Sequence, residues 1–325
     1  MKSLFEKRVQ LKPYEYPQFE EYIDAIRHSY WVHTEFNYTS DVQDFKVNVT
    51  PHERGVIKRA MLAIAQIEVA VKSFWGGIHL RFPKPEVAAV GATFAESEVR
   101  HMDAYSHLLK LLGLNTEFNR LEEYEVLARR HKHLEKILDK LKSTEKEDQV
   151  KAVLLFSLLT EHVSLFSQFL IIMSFNKHRN LFKGISNAIE ATSKEEQVHG
   201  LFGIELIKLL KKEHPELFKE GWKDEIVDYC REIYETEQEL ISWIFKDRDL
   251  DFLKLEEVKN FVKQRINTDL AAIGIKPSLE VDQKALEGTE WFDNEVIATK
   301  HVDFFHKRSI NYNKRSQSVT GNDLF

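Results

Sequence analysis

Glu98-Val99-Arg100-His101 and Glu196-Gln197-Val198-His199 are two copies of one phrase, Glu-x-x-His, and each is preceded along the chain by a further acid in an apolar stretch, Glu68 and Glu161. A helix turns once every ~3.6 residues, so side chains three apart share a face, and each phrase aims a carboxylate and an imidazole at one point. Four carboxylates and two imidazoles can cage two metal ions inside a four-helix bundle, with one Glu from each of two helices and a Glu-x-x-His from each of the other two. One such phrase is weak evidence in a chain with 30% charged residues, whereas two in register are strong. Oxygen and nitrogen donors suit manganese and iron; the lack of thiolates excludes iron–sulfur clusters and argues against structural zinc. The expected chemistry is redox with oxygen. Glu161, in the most apolar helix, is the expected carboxylate to swing as the metals change valence.

Three further side chains fall on the same faces. Tyr105 follows His101 by one turn, where its phenol could lose an electron to an oxidising metal pair. Lys72 and Trp75 follow Glu68 by one and two turns and are expected on the metal side. Lys72 is expected to hydrogen-bond a ligand carboxylate or the Tyr105 hydroxyl, or else to extend along the surface.

The elements that must position these residues are all helical. A first helix is expected over residues 16–30, followed by an irregular acidic connection over 39–49. Thr50-Pro51-His52-Glu53 reads as an N-cap, a first helical proline and a capping-box acid, opening a helix that continues to about Leu80. Pro85 opens the next helix, and Gly113 closes it. A charged segment over 117–141, with Arg129, Arg130, His131, Lys132 and His133 together, reads as a solvated outer helix. Further helices are expected over 148–175, 181–212, 222–245 and 252–273. No alternating apolar run is long enough for a sheet, so the fold class is all-α. The division expected is one helical domain over 1–308 and a flexible polar tail over 309–325 that ends in an apolar hook.

The chain has 325 residues, 43% of them hydrophobic, with only 12 glycines and 7 prolines, enough apolar content for a large core of long helices. Its net charge of −6, with acids and bases interspersed, argues against a nucleic-acid surface. Cys230 is the only cysteine, so an internal disulfide or a dithiol active site within this chain is ruled out. The N-terminal segment lacks the pattern of a secretion signal, and a cytoplasmic location is expected. Residues 152–175 approach transmembrane length, but Glu161 would be costly in hydrocarbon, so a buried bundle helix is the expected reading and no membrane partner is.

These phrases resemble the radical-generating small subunit of class I ribonucleotide reductase, over a span from about Trp31 to the C-terminus. Residues 94–106 (FAESEVRHMDAYS) are similar to the family's Glu-x-x-His followed by its radical tyrosine, residues 194–199 (KEEQVH) to its second Glu-x-x-His, and residues 303–312 (DFFHKRSINY) to its Phe-Phe-x-Lys-Arg phrase leading to a tail tyrosine. The resemblance implies a ferritin-like four-helix core with additional helices. It implies one metal on Glu68, Glu98 and His101 and a second on Glu161, Glu196 and His199, with carboxylates bridging. Trp31 corresponds to the radical-transfer tryptophan, Glu195 to the acid linking it to a metal-bound histidine, and Tyr312 to the relay tyrosine of the tail. The tail end, Leu324-Phe325, would dock on the large catalytic subunit, whose cysteines do the reduction that a chain with one cysteine cannot. A homodimer is implied by the resemblance alone.

Two positions depart from the family pattern. Glu68 and Glu195 stand where Asp is usual. Glu at the first position resembles the manganese-using subgroups, and with Tyr105 and Lys72 it is most similar to the dimanganese subgroup. Mn/Mn is therefore the expected cofactor, with Mn/Fe and Fe/Fe as alternatives, and Tyr105 is then a possible bystander. The N-terminal nucleotide-binding cone of self-regulating members is not found ahead of Trp31, so allostery is expected in the partner. The alternatives from other classes are a stand-alone ferritin-like di-metal oxidase and a metal store.

Overall fold

The computed structural model describes residues 3–298; the expected tail, with Tyr312 and Leu324-Phe325, and the 303–312 phrase lie outside the described residues. The described residues form no strand, only one isolated bridge between Leu250 and Leu253. The principal helices are α1 (Phe19–His28), α2 (Pro51–Ile67), α3 (Val71–Gly77), α4 (Pro85–Leu111), α5 (Glu125–Lys142), α6, α7 (Lys183–Glu213), α8 (Trp222–Phe245) and α9 (Leu255–Ala272). Helix α6 runs over Lys146–Leu155, widens into a π-helical stretch over Phe156–Ser164, and resumes over Phe166–Arg179. This is the all-α four-helix plan that the paired phrases predict and the ferritin-like core that the resemblance implies, with α2, α4, α6 and α7 as the four core helices.

Local chemistry sets the helix starts. Thr50 Oγ1 accepts from the Glu53 N–H at 3.2 Å, and Glu53 Oε2 accepts from the Thr50 N–H at 2.7 Å, so two N–H groups that no helical carbonyl can reach are satisfied reciprocally. Pro51 and Pro85 occupy first-turn positions that need no N–H. At the far end of α4, Gly113 takes φ +72°, the left-handed conformation that closes a helix.

Three expectations are corrected. The helix from Thr50 toward Leu80 is interrupted after Ile67 by a turn at residues 68–70, so Glu68 is the C-cap of α2, and α3 begins afresh at Val71. The connection expected to be irregular holds a short helix, Thr39–Gln43, and a π-helical turn, Asp44–Asn48. Its acids have a partner far away in sequence. Asp44 accepts from the Phe182 N–H at 2.9 Å and Asp41 from the Ile185 N–H at 2.8 Å, capping the start of α7. The charged helix α5 is not wholly a solvated face either, because Arg130 is buried against Glu237.

Most of the core is apolar. The most apolar window of residues 146–179 would be long enough to cross a membrane, yet all of it is buried inside the protein. Fully buried Phe74, Trp75, Phe94 and Phe156 gather beside the charged centre, with Phe74 and Phe156 stacked at 3.6 Å and Trp75 edge-on to Phe94 at 5.0 Å. Burying each such ring contributes about 1.5–3 kcal/mol, and together they exclude water from the acids behind them.

Candidate metal centre

Glu68, Glu98, His101, Glu161, Glu196 and His199 all lie at 0–1% exposure in the middle of the bundle. Their ligand atoms form two overlapping groups, one of Glu68, His101 and Glu196, the other of Glu98, Glu161, Glu196 and His199. Glu98 and Glu196 each offer one oxygen to either histidine. Glu98 reaches His101 Nδ1 with Oε2 at 3.3 Å and His199 Nδ1 with Oε1 at 3.0 Å. Glu196 reaches His101 Nδ1 with Oε1 at 3.1 Å and His199 Nδ1 with Oε2 at 3.3 Å. Those two carboxylates lie between two half-sites, one ended by Glu68 and the other by Glu161.

The donor set fits a pair of divalent cations. Both oxygens of Glu68, both of Glu196 and Oε1 of Glu98 are buried without a hydrogen bond, which in a dry core is costly unless a cation meets them. Four carboxylates carry a charge that two divalent ions neutralise. Protein charge alone balances the cluster unevenly. Burial, and then the charges of Glu98 and Glu161, push the Glu68 carboxyl well above its usual range; burial and the same two neighbours do so for Glu196. For Glu98 burial acts upward, but the neighbouring imidazoles of His101 and His199 outweigh it and hold the acid at about 2. His199 is raised to about 9, because Glu161 and Glu98 outweigh the cost of burying a cation.

Each imidazole turns Nδ1 to the cluster and anchors Nε2 outside it. His101 Nε2 lies 2.7 Å from Glu195 Oε2, and His199 Nε2 lies 3.0 Å from Ser97 Oγ. A proton on Nε2 donated to these acceptors leaves the Nδ1 lone pair free for a metal, the usual role of an outer partner to a metal-binding histidine. Trp75 Nε1 donates to Glu161 Oε1 at 2.8 Å and fixes that carboxylate from behind.

Glu195 joins the centre to Trp31. The Trp31 indole N–H donates to Glu195 Oε2 at 3.2 Å, the same oxygen that meets His101, and the two rings lie nearly parallel at 5.8 Å between centroids. Arg100 forks onto both oxygens of Glu195 at 3.1 and 3.2 Å and donates to the Trp31 carbonyl at 3.1 Å. Sequence reading passed over Arg100, although it sits inside the first Glu-x-x-His phrase and is a chemically conspicuous neighbour for a buried acid.

Tyr105 is buried, with its phenol raised well above its usual range by burial and then by the charge of Glu68. Its hydroxyl has no hydrogen bond of proper geometry, although Thr192 lies close enough to oppose the shift slightly. For Lys72 the metal-side alternative is not seen. Its Nζ donates to the Val69 carbonyl at 2.8 Å, with longer approaches to the Glu68 carbonyl at 3.4 Å and Met102 Sδ at 3.5 Å, and not to a ligand carboxylate or Tyr105. The turn after Ile67 is the reason, because a four-residue spacing puts side chains on one face only along an unbroken helix.

The π stretch that carries Glu161 packs unusually close to α7. A Cβ at Gly200 would lie 2.1 Å from His162 Cδ2, and one at Gly203 would lie 2.0 Å from Ser157 Oγ. Gly200-x-x-Gly203 is therefore the seat of the stretch, a signal legible in the sequence but not read there.

This geometry agrees with comparison to known proteins. The family model for the ribonucleotide reductase small chain matches residues 8–285. The chain belongs to the ribonucleotide reductase small-chain family. It is 25% identical to a probable ribonucleoside-diphosphate reductase small subunit, 048L, of Invertebrate iridescent virus 3, over 97% of this chain and 86% of that protein. In fold it is similar to the ribonucleotide reductase R2 subunit from Clostridium botulinum (TM-score 0.80, 20% identity, 87% of this chain and 89% of the other). It is also similar to the dimanganese(II)-NrdF of Streptococcus sanguinis (TM-score 0.74, 17% identity, 87% and 99%). As a reductase small subunit, the chain acts with a large subunit.

Proposed function

We propose that this reductase small subunit holds two manganese ions, stores one oxidising equivalent at that pair, and passes it to a cysteine of the large subunit. Glu68 and His101 would hold one ion and Glu161 and His199 the other, with Glu98 and Glu196 bridging. When bound, the pair supplies a one-electron oxidant. The residues of this chain do the rest. His101 keeps its Nε2 proton on Glu195, Glu195 ties that imidazole to the Trp31 indole, and Arg100 keeps the acid oriented and paired. Trp31 would be the residue that gives up an electron, and Tyr312 would in turn reduce Trp31 and carry the oxidant to the partner.

The observation that carries the reading is the single oxygen, Glu195 Oε2, that accepts from both His101 and Trp31. A stand-alone oxidase acting on its own small substrate has no use for a buried tryptophan tied to a metal-facing histidine. Manganese is favoured by Glu at position 68 and by the likeness to the dimanganese subgroup; Mn/Fe and Fe/Fe are the alternatives. A homodimeric assembly in the cytoplasm, joined to the large subunit through the tail, completes the proposal. Its test is a two-subunit assay of the chain loaded with manganese or with iron, full-length and truncated after Arg308. Full-length protein should be active and the truncated form inactive with both ions retained. Full turnover by the truncated form would sink the relay.

A further inference from the structure

A buried ion pair outside the metal centre has no role in that account. Arg130 of α5 and Glu237 of α8 have side chains at 5% and 1% exposure, with Arg130 Nε 3.3 Å from Glu237 Oε1. Burying such a pair is a poor route to stability, since taking two charges out of water costs about as much as their attraction returns. What Arg130 does with its other nitrogens is more telling. Nη1 donates to the Ala63 carbonyl of α2 at 2.8 Å, and Nη2 donates to the Ser164 carbonyl and, at 3.0 Å, to Gln168 Oε1 of α6.

Both carbonyls belong to the segments that carry the single-glutamate ligands. Ser164 is the last residue of the π stretch, three beyond Glu161. The next turn does not continue regularly, because the Gln168 N–H bonds the Leu165 carbonyl at 3.1 Å, and Arg130 serves the Ser164 carbonyl. Ala63 lies in the last turns of α2, which ends at Glu68. One guanidinium thus spans the two helices whose ligands, Glu68 and Glu161, end the two half-sites. The ion pair lines a cavity of about 20 Å³, with Gln66, His131 and Thr160 also on its wall. Gln66 and Thr160 precede the two ligands by two residues and one.

We infer that Arg130, oriented by Glu237, is a positioning residue for the metal centre: it ties the end of the π stretch to α2 and so fixes where Glu161 stands relative to Glu68. The stretch is pinned on its other side by the close seat at Gly200 and Gly203, so Arg130 supplies the opposing restraint. The inference rests on the reading of the six residues as a di-metal site.

The test is metal binding, measured on the full chain by competition with a chromogenic chelator for manganese. Arg130→Met with Glu237→Leu removes both charges together and fills the space with apolar atoms, which leaves no unpaired buried ion. Helical circular dichroism and the melting temperature of the metal-free protein should hold near wild type. Manganese affinity should fall about ten- to hundredfold, the usual effect of losing an outer support. The loss should be greater for one ion, that of Glu161 and His199, so stoichiometry drops from two to one at intermediate manganese. Two ions bound by the double variant with unchanged affinity would overturn the inference, and so would loss of its helical signal, which would make the pair a folding element. Failure of the wild-type chain to bind two ions would instead overturn the metal reading itself.

Discussion

Replacing Gly200 by Ala tests whether the π stretch of α6 is seated as tightly as its geometry demands. The new Cβ would lie 2.1, 2.2 and 2.6 Å from Cδ2, Nε2 and Cγ of His162, where ordinary contact begins at 3.4 Å. The ring must retreat by the difference, 3.4 − 2.1, or about 1.3 Å. It cannot do so freely, because Nδ1 is bonded to Asp269 Oδ1 at 3.0 Å and Nε2 to the Gln197 carbonyl at 3.2 Å. Overpacking a core by one methyl costs about 1–3 kcal/mol. Losing a hydrogen bond to a charged group adds about 1.5–3 kcal/mol, so the variant should lose about 2.5–6 kcal/mol. With an unfolding entropy of about 2.1 cal/mol/K per residue, 325 residues give roughly 0.7 kcal/mol/K, and the melting temperature should fall by about 4–9 °C. Because His162 follows Glu161 directly, metal affinity should fall with it. Gly77→Ala is the control, with nothing within 4 Å of its new Cβ, and should be neutral or stabilising by up to about 1 kcal/mol. A Gly200→Ala melting temperature within about 1 °C of wild type, by scanning calorimetry of the metal-free protein, would refute the close-seat argument.

Three further outcomes are expected. Trp31→Phe and Glu195→Gln should each bind two ions yet lower two-subunit turnover by about a hundredfold or more, the scale on which a positioned proton-handling group matters; normal turnover in either would break the proposed path. Tyr105→Phe should keep most of its activity if the oxidant resides on the metal pair, and electron paramagnetic resonance of the active protein should show no tyrosyl signal; a fall to background would return the radical to the phenol. Burial pushes the Cys230 thiol up to about 12 from its ordinary 9, so above pH 9 the unfolded chain releases a proton that the folded chain keeps, and stability falls as pH rises from 9 toward 12. Urea unfolding of Cys230→Ala should show a shallower decline over that window, whereas identical slopes would contradict the shift.

The convergence of the four acids and two histidines was readable from sequence because the rule that groups them is local. Residues three apart share a helix face whatever the fold, and four acids with two imidazoles can be stable in an apolar core only around cations. The same locality made Thr50, Pro51, Pro85 and Gly113 reliable marks of helix ends. Lys72 shows where that reasoning stops, because its place depended on an unbroken helix and the chain turns at residues 68–70. The pairing of Asp41 and Asp44 with the start of α7, the fork of Arg100 on Glu195 and the span of Arg130 from Ala63 to Ser164 join residues far apart in sequence. No periodicity announces such contacts. They exist because packing the four core helices leaves particular carbonyls and carboxylates without a local partner, and only the tertiary arrangement decides which distant side chain reaches them.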